Sequence, residues 1–239
     1  MRDTDIFEKA LALPAPWKVT ACSFSAEVRR LDLAVDFPAG SQFLCPTCGK
    51  SCPVHDTTQK TYRHLDFFEH KAYITARVPR VSCGQHGVLQ IEVPWSRPGS
   101  GFSFVFEGHI LFLAPAMAMK HVAQFVGEND TLLWRMVHHH VKDGRSRADH
   151  STVRRMAFDE TAGRLGHDYV TVSVDLDEKR VLFAVPGKGK GKACIKAAAD
   201  DLRKHGGNPK AITTAACDMS AVFTAGIEKY LPKAMLTYD

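Results

Sequence analysis

Cys45, Cys48, Cys83 and His86 have the residue types and spacing to hold a zinc ion. Zinc takes thiolate and imidazole ligands tetrahedrally, and a C-x-x-C bend brings two sulfurs to one ion. The first knuckle reads Cys45-Pro46-Thr47-Cys48-Gly49 and the second Cys83-Gly84-Gln85-His86-Gly87. A glycine closes each of them, as a tight bend requires. Cys52 and His55 lie close enough in sequence to compete for a place in the set. A second kind of chemistry is suggested by Asp159 and Asp218, each at the end of a strand-like run. Two carboxylates brought side by side can share divalent ions that activate an attacking oxygen and stabilise a leaving one at a phosphodiester. Magnesium suits such a site, because it prefers oxygen ligands and retains waters.

The elements that must position these residues change character along the chain. Residues 1–40 read as a short helix, stopped by Pro14 and Pro16, followed by extended segments. A zinc-binding ribbon is expected over 41–95. In it Lys71 to Val78 alternates until Pro79, and Leu89, Ile91 and Val93 alternate until Pro94-Trp95. Such a module buries little, so metal would contribute much of its folding free energy. Ser96-Arg97-Pro98-Gly99-Ser100-Gly101 reads as a linker.

Beyond it the apolar period becomes helical, and residues 102–155 are expected to form a helix-turn-helix domain. Ala123 permits a close helix crossing, Gly127 makes the turn, and Val122, Val126, Leu133 and Met136 form the wedge. Asp130 is the expected N-cap of the second helix. Thr131, Leu132 and Arg135 would then face the major groove, with Lys120 as a further DNA contact. Glu128 occupies a position that is usually apolar in this motif. Three consecutive histidines, His138 to His140, point about 100° apart on a helix and are poorly placed to chelate one ion.

From Met156 the pattern is strand, strand, strand, helix, strand, helix, strand, the running order of a ribonuclease-H-like core over 156–239. In that order the first and fourth strands are neighbours, which would bring Asp159 and Asp218 together. The run Gly187-Lys188-Gly189-Lys190-Gly191-Lys192 lacks the Ser or Thr that a phosphate loop needs after its lysine. Lys188, Lys190 and Lys192 are expected to contact the DNA backbone.

The chain has 239 residues and a formal net charge of +5. Its cations cluster: from Thr131 to Arg155 six Arg/Lys face two Asp, and from Pro186 to Lys210 seven face two. Such clusters suit a polyanion, whose condensed counterions they displace. Seven cysteines with no paired framework favour a reducing interior over secretion. No apolar run reaches the roughly 18 residues of a membrane span. The fold class expected is α+β and multidomain: a zinc-ribbon-like module, a helical helix-turn-helix domain and an incomplete ribonuclease-H-like core.

In its succession of motifs the chain resembles a bacterial insertion-sequence transposase of the ISL-three family from about Phe43 to Asp239. The resemblance is carried by both knuckles and by Val54-His55-Asp56, Arg63-His64-Leu65-Asp66, Val93-Pro94-Trp95, Asp159-Glu160, Gly166-His167-Asp168-Tyr169, Val174-Asp175-Leu176 and Cys217-Asp218-Met219-Ser220. It implies a zinc-dependent region and a helix-turn-helix that recognise terminal inverted repeats, and a DDE core that cuts and joins DNA. The partners implied are DNA and further copies of the protein, with no membrane and no small-molecule substrate. The setting implied is the bacterial cytoplasm, in association with the nucleoid. The first two acidic positions map onto Asp159 and Asp218. The third, a glutamate on a later helix, has no counterpart, since Glu228 lies on another helix and Asp239 follows a strand. The expectation is therefore a C-terminally truncated, inactive transposase. The alternative is a non-catalytic DNA-binding fragment that represses or inhibits transposition.

Overall fold

Long polar strands, rather than short knuckle arms, form the frame of the N-terminal half. A computed structural model describes residues 2–164, 168–187 and 192–238. The chain divides into two compact units, Met1–Val141 and Lys142–Asp239.

In the first unit, helix α1 (Asp3–Ala10) precedes strands β1 (Lys18–Ser25), β2 (Arg30–Asp36), β3 (Gln42–Leu44), β4 (Ser51–Phe67), β5 (His70–Cys83) and β6 (Gly87–Gln90). The sheet order is β1-β2-β5-β4-β3, with β6 paired to β5. β2 runs parallel to β5, in register from Arg30 opposite Lys71 to Val35 opposite Ala76. Residues 1–40 thus extend the ribbon's sheet, and Trp17 and Phe37 pack edge-on with Phe43 and Trp95 in one core.

β5 does not end at Pro79, where the sequence alternation stops. It continues to Cys83, and the partner strand shifts register between Val54 and Asp56 close to the proline. An irregular position of this kind is where a sheet accommodates proline. Conversely, only Gly87–Gln90 of the following segment is strand. Ile91 and Val93 are buried without continuing the ladder. The alternation there reports burial and not pairing.

Helices α2 (Phe104–Leu113), α3 (Met119–Val126) and α4 (Asp130–Ser146) follow. Phe106, Ile110, Val122, Val126, Leu133 and Met136 make their shared core. Gly127 ends α3 in the left-handed conformation, φ 65° and ψ 39°. An added Cβ there would lie 2.5 Å from Lys71 Nζ. The cap of α4 is Asn129, not Asp130: its Oδ1 accepts the Thr131 N–H at 2.9 Å, and its carbonyl receives the N–H groups of Leu132 and Leu133. The stretch 96–101 is no free spacer either. Ser96 is buried, the Arg63 N–H donates to the Gly101 carbonyl, and the Ser103 N–H returns to the Arg63 carbonyl. Its Gly, Pro and Ser content marks tight turns along β4.

In the second unit, β7 (Arg155–Arg164), β8 (Asp168–Asp175), β9 (Arg180–Gly187), helix α5 (Lys192–Lys204), β10 (Thr214–Cys217), α6 (Ala221–Tyr230) and β11 (Met235–Tyr238) follow one another. The sheet order among the described residues is β11-β10-β7-β8-β9, with β10 parallel to both β7 and β11. Ile195, Ala198, Leu202, Phe223 and Ile227 of the two helices pack on Met156, Phe158 and Ala215 of the sheet. The helices cross closely at Gly226, where a Cβ would meet Ile195 Cγ1 at 2.8 Å.

Candidate functional site

The two knuckles converge. Gly49 (φ 68°) and Gly87 (φ 72°) bend the chain after each pair. One ligand atom from each of Cys45, Cys48, Cys83 and His86 lies within 4.8 Å of the others. The Cys48 and Cys83 sulfurs are 3.8 Å apart, and His86 Nδ1 lies 3.6 Å from Cys83 Sγ and 3.8 Å from Cys45 Sγ. Tetrahedral zinc with standard bond lengths requires about 3.8 Å between sulfurs and about 3.6 Å between sulfur and nitrogen. The arrangement therefore fits structural zinc. The Gln85 N–H, and after it the His86 imidazole, hold the Cys83 thiol down at about 6. Backbone N–H groups of Cys48 and Thr47 lower that of Cys45. Thiolate, the form zinc binds, is thus favoured at Cys83 and Cys45, whereas burial and the two neighbouring sulfurs raise the Cys48 thiol. Cys52 and His55, the competing ligands, stand outside the cluster: the Cys52 thiol turns to the Lys50 carbonyl, and His55 is exposed.

In the helix-turn-helix, Lys120, Thr131, Leu132 and Arg135 are all exposed, while Leu133 and Met136 face inward. Neither Lys120 nor Arg135 has an ion pair among the described residues. His138 and His139 are exposed, and His140 Nε2 lies 2.6 Å from the buried Glu107 carboxylate. Glu107 also receives Arg97 at 3.0 Å and Ser100 Oγ at 2.5 Å.

Glu128, out of place by motif, has a partner that sequence reading missed. Its Oε1 accepts Arg63 Nε at 3.0 Å, and Arg63 is only 3% exposed. The same guanidinium pairs with Asp66 and reaches the carbonyls of Ala72 (3.3 Å) and Val126 (3.4 Å). Lys71 Nζ adds a bond to the Gly127 carbonyl at 2.7 Å. The ribbon's longest strands therefore grip the turn between the reader helices. The Arg63-His64-Leu65-Asp66 motif is the signal that was available: His64 Nδ1 lies 2.8 Å from Ser103 Oγ, the α2 cap, and Leu65 packs into the helical core.

Asp159 lies within β7 and Asp218 one residue past β10. The parallel register puts Cys217 opposite Phe158, so the next step sets Asp218 beside Asp159. Phe158 and Cys217 are buried, and strand alternation sends both aspartates to the opposite, exposed face. Both line one cavity of about 370 Å³ with Ala157 and Ala216. Each carboxylate accepts the next residue's N–H through one oxygen, Glu160 N at 2.7 Å and Met219 N at 2.6 Å. Among the described residues the second oxygen of each makes no hydrogen bond or ion pair. Glu228 lines a different cavity, with Met219, Thr224 and Tyr238. Lys192 is exposed at the start of α5, whereas Lys188, Lys190 and Asp239 lie outside the described residues.

Three family models match in succession. Residues 41–86 match the zinc-finger of transposase IS204/IS1001/IS1096/IS1165, and residues 91–141 the helix-turn-helix domain of transposase family ISL3. Residues 156–239 match the ISL3 family's transposase domain. The chain is 31% identical over 153 residues to the transposase for insertion sequence element IS1557 of Mycobacterium tuberculosis, covering 61% of this chain and 34% of that one. It is 29% identical over 209 residues to the transposase for insertion sequence element IS1001 of Bordetella parapertussis, covering 84% of this chain and 49% of the relative. The chain thus spans between a third and a half of the length of these relatives. With the knuckles, the reader helices and the paired aspartates arranged in this order, the chain belongs to the ISL3 family of insertion-sequence transposases.

Proposed function

We propose that this chain carries the DNA-reading and part of the DNA-cutting apparatus of an insertion-sequence transposase, acting on the terminal inverted repeats of its element. The reading rests on one observation above the others: Asp159 and Asp218, 59 residues apart in sequence, line one exposed cavity on adjacent parallel strands. The order β11-β10-β7-β8-β9, with two helices packed on the sheet, supports a ribonuclease-H-like reading of the core.

In this reading Thr131, Leu132 and Arg135 enter the major groove and Lys120 contacts phosphate, with Lys188, Lys190 and Lys192 as further backbone contacts. Zinc at Cys45, Cys48, Cys83 and His86 keeps the ribbon folded, and the Arg63 and Lys71 contacts hold the reader turn steady. Magnesium, once bound, would supply the charge that activates a hydroxyl and stabilises the departing oxygen. Asp159 and Asp218 would hold it through their second oxygens, with the neighbouring N–H bonds fixing each carboxylate's rotation. Among the described residues Asp159 and Asp218 are the carboxylates that line this cavity. Assembly of several copies on DNA, in the bacterial cytoplasm at the nucleoid, belongs to the same proposal.

The test pairs two measurements on full-length protein. Manganese binding, followed by electron paramagnetic resonance, should be lost in Asp159→Asn and in Asp218→Asn. Inverted-repeat binding by mobility shift should persist in both. Unchanged manganese binding in either variant would refute the shared metal site. A chain that binds the repeats but never binds manganese would instead be the non-catalytic DNA-binding form.

A further inference from the structure

A second cluster of metal-ligand side chains lies in the second unit, apart from the paired aspartates. His150 sits in the segment leading into β7. Asp201 and His205 are four residues apart at the end of α5, the spacing that puts two side chains on one helix face. The His150 N–H donates to the His205 carbonyl at 2.8 Å, and the two rings lie 4.9 Å apart. One ligand atom from each of the three residues falls within 4.8 Å of the others. Packing around them is tight: a Cβ at Gly207 would come within 2.8 Å of the His150 carbonyl.

Two atoms of this cluster are buried without a hydrogen-bond partner among the described residues, His150 Nδ1 and Asp201 Oδ2. His150 is 3% exposed. Buried polar atoms left in this state are uncommon in folded proteins and mark an uncompensated loss of hydration. The other Asp201 oxygen takes Arg145 Nη2 at 2.5 Å, so Arg145 leaves Oδ2 to something else. His205 Nδ1 lies 3.5 Å from Oδ2 and 2.9 Å from the Asp201 carbonyl. Two ligands on one ion with bonds of about 2.0–2.1 Å at a tetrahedral angle are about 3.4 Å apart. Loading would exchange the carbonyl contact for the ion.

We propose that His150, Asp201 and His205 form a second metal site, selective for zinc or a similar borderline divalent cation, that fastens the segment entering β7 to the end of α5. Two imidazoles and one carboxylate suit such ions better than the hard cations of the aspartate pair. The Arg145 charge opposes a divalent ion nearby, so this site binds more weakly than the thiolate cluster and releases its ion first. The inference does not depend on the function proposed above, since the cluster shares no ligand with the Asp159 and Asp218 pair and none of its residues lines their cavity.

The test is cobalt titration and zinc analysis of the full-length chain. Thiolate ligation gives cobalt an intense charge-transfer absorption. A further equivalent bound by His150, Asp201 and His205 should add weak visible bands without raising that absorption. By elemental analysis after zinc saturation, wild type should hold one equivalent more than His150→Ala and than His205→Ala, and a mild chelator should remove that equivalent first. Should either variant fail to fold, the wild-type titration decides alone. Saturation with no equivalent beyond the thiolate-linked one, or equal zinc in wild type and folded variants, would overturn the site and leave a proton-sharing cluster.

Discussion

Glu128→Leu restores the apolar residue that helix-turn-helix sequences usually carry after the turn glycine, and it is expected to weaken the protein. If Glu128 were a surface defect, leucine would be neutral or stabilising. The structure argues otherwise, because Glu128 is half of a pair with an arginine only 3% exposed. Leucine leaves Arg63 Nε without its acceptor in a place that water scarcely reaches. Asp66 and the carbonyls of Ala72 and Val126 retain the other nitrogens, which limits the loss. A charge-assisted hydrogen bond of this kind contributes about 1.5–3 kcal/mol, so Glu128→Leu should lose about 2–3 kcal/mol. Arg63→Met strands the whole set of acceptors and should lose about 3–5 kcal/mol. The double variant should lose less than the sum by at least about 1 kcal/mol, since the two residues contact each other. Thermal unfolding of the zinc-loaded chain would show these losses as drops in Tm of roughly 4–12 °C and 6–20 °C, at about 2–4 °C per kcal/mol for a chain of this size. A Glu128→Leu protein melting at or above wild type, or additive losses in the double variant, would refute the reasoning.

Acid should release the ribbon zinc late. A thiol held at about 6 stays ready as thiolate above that pH and is lost as the pH falls through it. Zinc occupancy, read with a chromogenic chelator, should therefore hold from neutral pH down to at least about 6, because bound zinc competes with protons for the thiolate; loss above pH 6 would contradict the N–H bonds to Cys83. Arg135→Ala should weaken inverted-repeat binding and relax its sequence preference, whereas Lys120→Ala should weaken binding to all sequences alike and lower the salt-dependence slope by about one. The reverse pattern would exchange the two roles. Gly226→Ala should destabilise the second unit by about 1–3 kcal/mol in urea unfolding, because the new methyl meets Ile195. A variant as stable as wild type would mean the α5–α6 crossing is looser than described.

What could be read from the residues depended on how local the determinant was. The strands of the second unit announce themselves through β-branched runs, and Asp159 and Asp218 follow from strand order alone. The knuckles are equally local, since two short motifs and their glycines hold the geometry. β4 and β5 were obscured because Lys, Thr, Gln and Arg dominate their exposed faces and Pro53 and Pro79 punctuate them. Pairing across 14 and 17 residues overrides those weak local preferences. The cap of α4 was misplaced by one residue because Asn129 and Asp130 are both good caps and only backbone geometry separates them. Arg63 was invisible as a structural residue because its acceptors, from Asp66 and Ala72 to Val126 and Glu128, assemble only on folding.

The grip of β4 on the reader turn has a bearing on how such elements could exchange specificity. Helices α3 and α4 moved into another scaffold would leave behind the cation that neutralises Glu128 and the donor that satisfies Val126. A workable transplant would have to include the middle of β4 and the start of β5, with Arg63, Asp66 and Lys71. Ribbon and helices are therefore bound into one folding cassette, and chimaeras joined at residues 96–101 should be less stable even when α3 and α4 are retained whole.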